Sequence, residues 1–419
     1  MNIVRRLRDS GHESYLAGGC VRDELLGLEP KDFDVATDAP PERVAELFRR
    51  TREVGRAFGV MHVTSDRVVT EVATFRTEGS YTDKRRPDAV TFASAEEDAQ
   101  RRDFTVNALF IDPLDESERA GGRVIDFVGG VEDLGKKVIR AVGDADERLA
   151  EDDLRSLRAV RFAARLGFEI ERSTRDAITQ HAGELIGISR ERIGDELRAM
   201  LAHPTRARAI GLVHELRLEA AVLLLPSIEG VRWSFLNACD EDAPPMVALG
   251  AWCVDRTLAL EADNPEGAPG RLAAHAADTV RALRKALVLS NDETAQLNGM
   301  LRGFNVLVHE WDSMRVAHQK RAASSSWFEP VLGLLSPAWG ALAGTIRGRI
   351  LELSGDPIGL SPEPVLTGDD LIDRGFTPGP SFKGWLEEAY NLQLEGAIAS
   401  QGEAITKVQS WAASDTNKD

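Results

Sequence analysis

The periodicity of apolar residues changes character near residue 142. Upstream of that point, short β-rich runs at 60–64, 68–75, 90–92 and 104–111 read as strands, with a helix over 41–50. Gly121-Gly122 and Gly129-Gly130 bracket a further short strand at 124–128. From Asp144 onward, Leu154, Leu157, Val160 and Ala164, then Ile178, Leu185, Ile193, Leu197 and Leu201, fall at helical spacing, and strand signals nearly vanish. With 419 residues the chain exceeds the ~250–300 at which single cores stop growing, so two or more domains are expected. The spacing predicts an α+β unit over 1–142, a helical segment over 143–205, and a helical body and tail over 206–419. Polar or Pro/Gly-rich breaks interrupt that body at 240–245, 263–270 and 354–364, and residues 412–419 read as a frayed end.

The chemistry concentrates in the first unit. Residues 16–27 read Leu-Ala-Gly-Gly-Cys-Val-Arg-Asp-Glu-Leu-Leu-Gly, and residues 31–37 read Lys-Asp-Phe-Asp-Val-Ala-Thr. Gly18 and Gly19 lack a Cβ, so their N–H groups can approach phosphate oxygens, and a helix opening at Val21 adds a favourable dipole. Arg22 would clamp the same anion with its guanidinium fork. If the second run is a strand, Asp32 and Asp34 share one face while Phe33 and Val35 pack on the other. Two carboxylates on one face can hold a pair of Mg²⁺ ions, which would relieve their mutual repulsion and serve an in-line phosphoryl displacement. Either motif alone reads as an ordinary turn or edge strand; their combination within about twenty residues favours the chemical reading.

Further segments narrow the reading. They are Glu71-Val-Ala-Thr-Phe-Arg, Tyr81-Thr-Asp-Lys-Arg-Arg-Pro, Arg101-Arg-Asp-Phe-Thr-Val-Asn-Ala-Leu, Glu151-Asp-Asp-Leu-Arg-Ser-Leu-Arg, and Glu191-Arg-Ile-Gly-Asp-Glu-Leu. Together, and in this order over the first half of the chain, they resemble the class II tRNA nucleotidyltransferases, or CCA-adding enzymes, and their bacterial poly(A) polymerase relatives.

The resemblance implies a polymerase-beta-like nucleotidyltransferase head with a small mixed sheet, followed by an all-helical neck, body and tail. It implies Mg²⁺ as cofactor, CTP and ATP as substrates, and the 3′ acceptor end of tRNA as partner. Asp32 and Asp34 would be the catalytic metal ligands, with Glu71 completing the set or simply exposed on its strand. Gly18, Gly19 and Arg22 would hold the triphosphate, and Arg102, Asp103 and Asn107 would surround ribose and triphosphate. Asp152 and Arg155, three apart on a helix, would share a face and present an acceptor beside a donor. Cytosine and adenine show an amino donor beside a ring-nitrogen acceptor, whereas uracil and guanine show the reverse. A carboxylate next to a guanidinium therefore accepts C and A, and rejects partners that leave buried polar groups unpaired. The resemblance assigns this templating role to Asp152 and Arg155, with Glu151 as orienter and Arg158 in the same nucleotide-binding segment. Arg192 and Glu196, four apart, read most simply as a structural pair.

An enzyme adding only the terminal A shares every motif, and a poly(A) polymerase nearly does. The loop at Tyr81–Pro87 is present, which argues against a CC-only enzyme. After Val54-Gly55-Arg56 no second basic residue follows, and no strongly basic tail closes the chain, which shifts weight toward tRNA. The segment from Leu366 to Leu386 resembles the C-terminal region of CCA-adding enzymes, with Gly375, Pro378 and Gly379 punctuating a turn between two helices. A non-catalytic RNA-binding relative would have no need of paired metal carboxylates.

The formal net charge of −17 is awkward for a nucleic-acid partner, so any RNA surface has to be local. Candidates are Lys84-Arg85-Arg86, Arg101-Arg102, and Arg155, Arg158, Arg161 and Arg165, all next to catalytic motifs; Arg281, Arg284 and Lys285 read as a solvated face. Three cysteines without metal-type spacing indicate neither a disulfide framework nor a zinc site, and fit a reducing cytoplasm. No apolar leader and no run of ~18 apolar residues appears, so no membrane partner is expected.

Overall fold

The computed structural model describes residues 2–55, 59–65, 68–78, 90–115 and 121–416, with side chains described except at 55, 78, 90–92 and 414–416. The Tyr81–Pro87 segment, the Lys84-Arg85-Arg86 cluster and residues 56–58 lie outside these. The chain divides into two compact units, Met1–Ser227 with Lys285–Val288, and Ile228–Arg284 with Leu289–Asp419.

In the first unit the strands are β1 (Ser14–Ala17), β2 (Asp34–Thr37), β3 (Thr51–Gly55), β4 (Val60–Ser65), β5 (Val68–Thr74), β6 (Arg76–Glu78), β7 (Val90–Phe92), β8 (Leu109–Asp112), β9 (Arg123–Asp126), β10 (Val138–Ile139) and β11 (Glu169–Ile170). Seven of them form one mixed sheet in the order β3-β4-β5-β2-β1-β8-β9. Pairing within it is antiparallel except between β2 and β5, which run parallel with Asp34 opposite Glu71. One face rests on a core of Tyr15, Phe75 and Phe110, whose rings meet at 6.1–6.2 Å, closed by Ala95 and Ala99 of the helix Ala95–Gln100. Ser94 and Glu97 form a reciprocal capping box that starts this helix and thereby sets the position of the arginines that follow it.

Several expectations need correction. Asp32 and Phe33 precede β2 rather than belonging to it, and Phe33 is 48% exposed while Val35 is buried, so the two do not pack together. The 104–111 run is a single 3₁₀ turn, Thr105–Asn107, followed by β8, and Gly130 lies so close to the Thr105 carbonyl that a Cβ there would clash. Strands β1 and β3 carry no strand expectation in the sequence, and neither does the parallel β10–β11 pair, whose two-residue strands are too short to show periodicity. The C-terminal helix Gln401–Thr416 runs on through 412–416, where fraying is expected; Ala404, Ile405 and Val408 anchor its first half in a local core.

The second unit is helical among its described residues. The helix Pro245–Leu260 is buried from Met246 to Arg256, which explains why it lacks an amphipathic stripe. Lys320, fully buried, is satisfied by Asp356 and the Leu394 carbonyl, both at 3.0 Å. The helices Gly368–Ile372 and Pro380–Leu394 flank the turn at Gly375, which adopts φ +85°, as the glycine and prolines there require.

Candidate active site

A cavity of about 790 Å³ opens on the sheet face of the first unit. Of the residues singled out in the sequence, Gly18, Gly19, Arg22, Asp34, Glu71, Arg102, Asp103, Asn107, Asp152, Arg155 and Arg158 all line it. Asp32 does not; it is exposed in the extended pair of residues before β2.

One wall is acidic. Register pairing of β2 with β5 places Asp34 beside Glu71, and His62 of β4 lies 3.9 Å from Glu71 on the far side. Burial, then the charges of Glu71 and Asp32, push the Asp34 carboxyl up to about 6. Three mutually repelling carboxylates that offer only hard oxygen donors are a set that a divalent cation relieves. Their oxygen donors are of the kind a divalent cation takes.

The opposite wall is basic and organised by Asn107. Its side-chain oxygen accepts from Arg22 at 2.6 Å, its amide donates to Asp103 at 3.1 Å, and its backbone carbonyl accepts from Arg102 at 3.1 Å. Asp103 in turn accepts from Arg158 at 2.7–2.8 Å. Burial alone would raise the Asp103 carboxyl, but Arg158 and these hydrogen bonds outweigh it and hold it low. Arg102 is fixed further by Asp98 at 2.9–3.1 Å and by stacking 5.0 Å over the Phe110 ring. Three guanidiniums, those of Arg22, Arg158 and Arg161, surround the Phe162 ring at 5.1, 5.3 and 4.5 Å.

The glycine pair behaves differently from the expectation that both N–H groups face an anion. Gly18 donates its N–H to the Leu109 carbonyl, so the helix Gly19–Leu25 alone presents open first-turn donors. What Gly18 supplies is room: its φ is +75°, and a Cβ there would lie 2.9 Å from Arg102. The Arg22 fork is donated to Asp23 and Asn107 rather than left open, and burial lowers its pKa.

Asp152 and Arg155 are not on one helix. The helix Ala145–Glu151 ends before Asp152, whose backbone is extended, and a new helix runs Arg155–Leu166. Asp152 accepts the Leu154 N–H at 3.1 Å and starts that second helix, so the break itself aims its carboxylate into the cavity. Arg155 is held by the Arg148 carbonyl at 2.6 Å and by Glu151. Arg192 and Glu196 do not pair with each other: Arg192 reaches Asp152 at 2.6 Å, and Glu196 binds Arg161 at 2.6 Å. Their own helix, Arg190–Leu201, packs beside Arg155–Leu166, so each finds a nearer partner across the interface. Arg192, Arg101 and Phe162 also line the cavity and were not singled out as site residues. Arg192 stood in a quoted motif, but only the interhelical contact reveals its partner.

Two comparisons place the chain among known proteins by sequence. Residues 14–140 match the family described as the poly A polymerase head domain, and residues 167–229 match the probable RNA and SrmB-binding site of polymerase A. The chain is 43% identical to a CCA-adding enzyme of Geobacillus kaustophilus over 58% of its length, a match spanning 60% of that protein. It is 32% identical to a CCA-adding enzyme of Lacticaseibacillus paracasei over 95% of this chain and 92% of that one. The solved structure of the Bacillus stearothermophilus CCA-adding enzyme in complex with CTP is similar with a TM-score of 0.70 and 29% identity, covering 99% of this chain and 98% of that one.

Proposed function

The chain belongs to the CCA-adding enzyme family, and on that premise we propose that it extends the tRNA 3′ end with C, C and A from CTP and ATP, releasing pyrophosphate. The observation that carries this reading is that Asp152 and Arg155 share one cavity with the Asp34–Glu71 pair and the Asn107-centred arginines. Base reading, triphosphate binding and the acidic wall are thereby brought within reach of a single nucleotide.

Asp34, Asp32 and Glu71 would hold Mg²⁺, which when bound offsets charge on the reacting phosphates. Arg22, Arg102 and Arg158 line the wall facing them and supply fixed positive charge for the triphosphate, with no reorganisation because Asn107, Asp98 and Asp103 already orient them. Asp152 accepts the exocyclic amino group of C or A while Arg155 donates to the adjacent ring nitrogen. Arg192 holds the Asp152 carboxylate in place at 2.6 Å. Holding the primer hydroxyl and the α-phosphate in line is then a matter of positioning. Three free cysteines support a cytoplasmic location, and no described helix is long and apolar enough to cross a membrane.

The test is to supply the purified protein and Mg²⁺ with tRNA transcripts ending before CCA, after C and after CC, each with CTP, ATP or both, and to sequence the 3′ ends. Completion of CCA on the first transcript is expected. A single A added only to the CC-ended transcript would make it an A-adding enzyme, and long A tracts would make it a poly(A) polymerase. Asp34→Ala should abolish addition with the fold intact.

A further inference from the structure

A second cavity, of about 280 Å³, lies against the next face of the helix Arg155–Leu166. Its polar wall is made by Lys31, Arg161, Arg165, His203 and Thr205, and the remainder by alanines and Met200. Among the described residues no carboxylate lines it, although the chain as a whole carries a net charge of −17. The small alanine side chains leave depth between the cations. The volume is at the lower limit of the ~300–1,000 Å³ of pockets that enclose whole small molecules, and suits one phosphate with its sugar.

The donors are differently committed. Arg161 gives its fork to Glu196 and contributes charge to the wall. Arg165 stands 3.6 Å from Asp23, a charge contact without a hydrogen bond, and Lys31 is exposed with no ion pair among the described residues. At His203, Nδ1 accepts the Thr205 backbone N–H at 3.2 Å and lies 2.8 Å from its hydroxyl. In the neutral ring the proton then sits on Nε2, which makes His203 a donor without a net charge. Burial, then the charges of Arg165, Lys31 and Arg206, keep its pKa below the ordinary value.

We propose that this cavity is a phosphate subsite for the RNA primer, in which Lys31 and Arg165 grip a backbone phosphodiester near the 3′ end. The nucleotide's triphosphate already has Arg22, Arg102 and Arg158, so a second cation-lined cavity on the same helix is left for another phosphate. An acidic protein that grips RNA needs such local cations to overcome its overall repulsion. The inference rests on the reading that RNA is the acceptor.

The test compares wild type with Lys31→Gln and Lys31→Gln/Arg165→Gln. Binding of a fluorescent tRNA transcript lacking CCA is followed by anisotropy across a salt series without nucleotide, and KM for CTP is measured separately. Lys31 is exposed and has no ion pair among the described residues, so its variant is expected to fold; thermal unfolding checks both variants. The double variant is expected to weaken RNA binding by about tenfold or more and to reduce the slope of log K against log salt by about 0.7–0.9, the value for one lost phosphate contact. The single variant should show about half the change in slope, and KM for CTP should not move. Unchanged RNA affinity would overturn the proposal, as would a raised KM for CTP, which would assign the cavity to the nucleotide. Inorganic phosphate and pyrophosphate, titrated as inhibitors, separate the sources: weaker inhibition with unaltered RNA affinity would assign the site to free anions and overturn the RNA assignment. Because binding is read without turnover, a protein that binds RNA but adds no nucleotide would sink the proposed function and leave this result standing.

Discussion

Asp34 and Glu71 are register partners across the parallel pairing of β2 with β5, so their carboxylates project from the same face of the sheet into one cavity. Asp34 is largely buried at the strand's start and Glu71 is more open, with His62 3.9 Å away on the neighbouring strand. Strand pairing, rather than loop placement, fixes this geometry.

Glu71→Gln keeps the strand and the side-chain volume but removes one negative oxygen donor. The Mg²⁺ concentration giving half-maximal nucleotide addition should rise by an order of magnitude or more. A Mg²⁺ titration of wild type and variant decides it, and an unaltered requirement would show that Glu71 is only a neighbour.

Arg192→Ala leaves Asp152 without its strongest partner. The preference for CTP over UTP, as a ratio of kcat/KM, should fall about 10–100-fold, roughly 1.4–2.7 kcal/mol of discrimination. In a double-mutant cycle with Asp152→Ala the two losses should be strongly non-additive. Additive losses would mean that Arg192 acts independently of the base.

Phe110→Leu conserves most of the core volume, so it should cost less than about 1.5 kcal/mol of stability. It also removes the ring under the Arg102 guanidinium. The expected signature is a raised KM for nucleotide with little change in Tm, measured by steady-state kinetics and thermal unfolding. Phe110→Ala, by contrast, opens a cavity among Tyr15, Phe75 and Phe127 and should cost about 3–5 kcal/mol.

His203 has a folded-state pKa below the 6.5 of the unfolded chain. Above 6.5 both states hold a neutral ring, and its contribution to stability is complete. As pH falls through 6.5 the unfolded chain takes up the proton while the folded chain resists, so stability declines until the lower folded pKa is passed. Unfolding in urea at pH 7.5, 6.5 and 5.5 should show this decline in wild type and a flatter one in His203→Gln. Equal slopes in the two proteins would remove the imidazole from the account.

Local rules carried the reading of the sequence as far as they reach. The Gly18-Gly19-Arg22 turn and the helical spacing beyond residue 144 are contiguous or periodic, and a period acts within a few residues. They identified the class of chemistry and the change from mixed sheet to helices. The same rules failed where a break replaced a continuous element. Asp152 and Arg155 were assigned to one helix face, yet the chain ends one helix and begins another between them, and the Asp152 side chain itself helps to start the second.

Only the tertiary structure decided which of these residues act on one another. Arg22 meets Asn107 across 85 positions, Arg158 meets Asp103 across 55, and Arg192 meets Asp152 across 40. Arg192 and Glu196 have the spacing of a helical ion pair, yet each pairs with a residue outside its own helix, Asp152 and Arg161 respectively, at 2.6 Å. Pairing between distant segments follows from packing of the sheet and helices around Phe110 and Phe162, and no period within the chain encodes it. The sequence by itself determined the donors, the acceptors and the order of elements; packing alone determined that Asn107 would join Arg22 to Arg102, with Arg158 linked through Asp103, and that Glu71 would stand opposite Asp34.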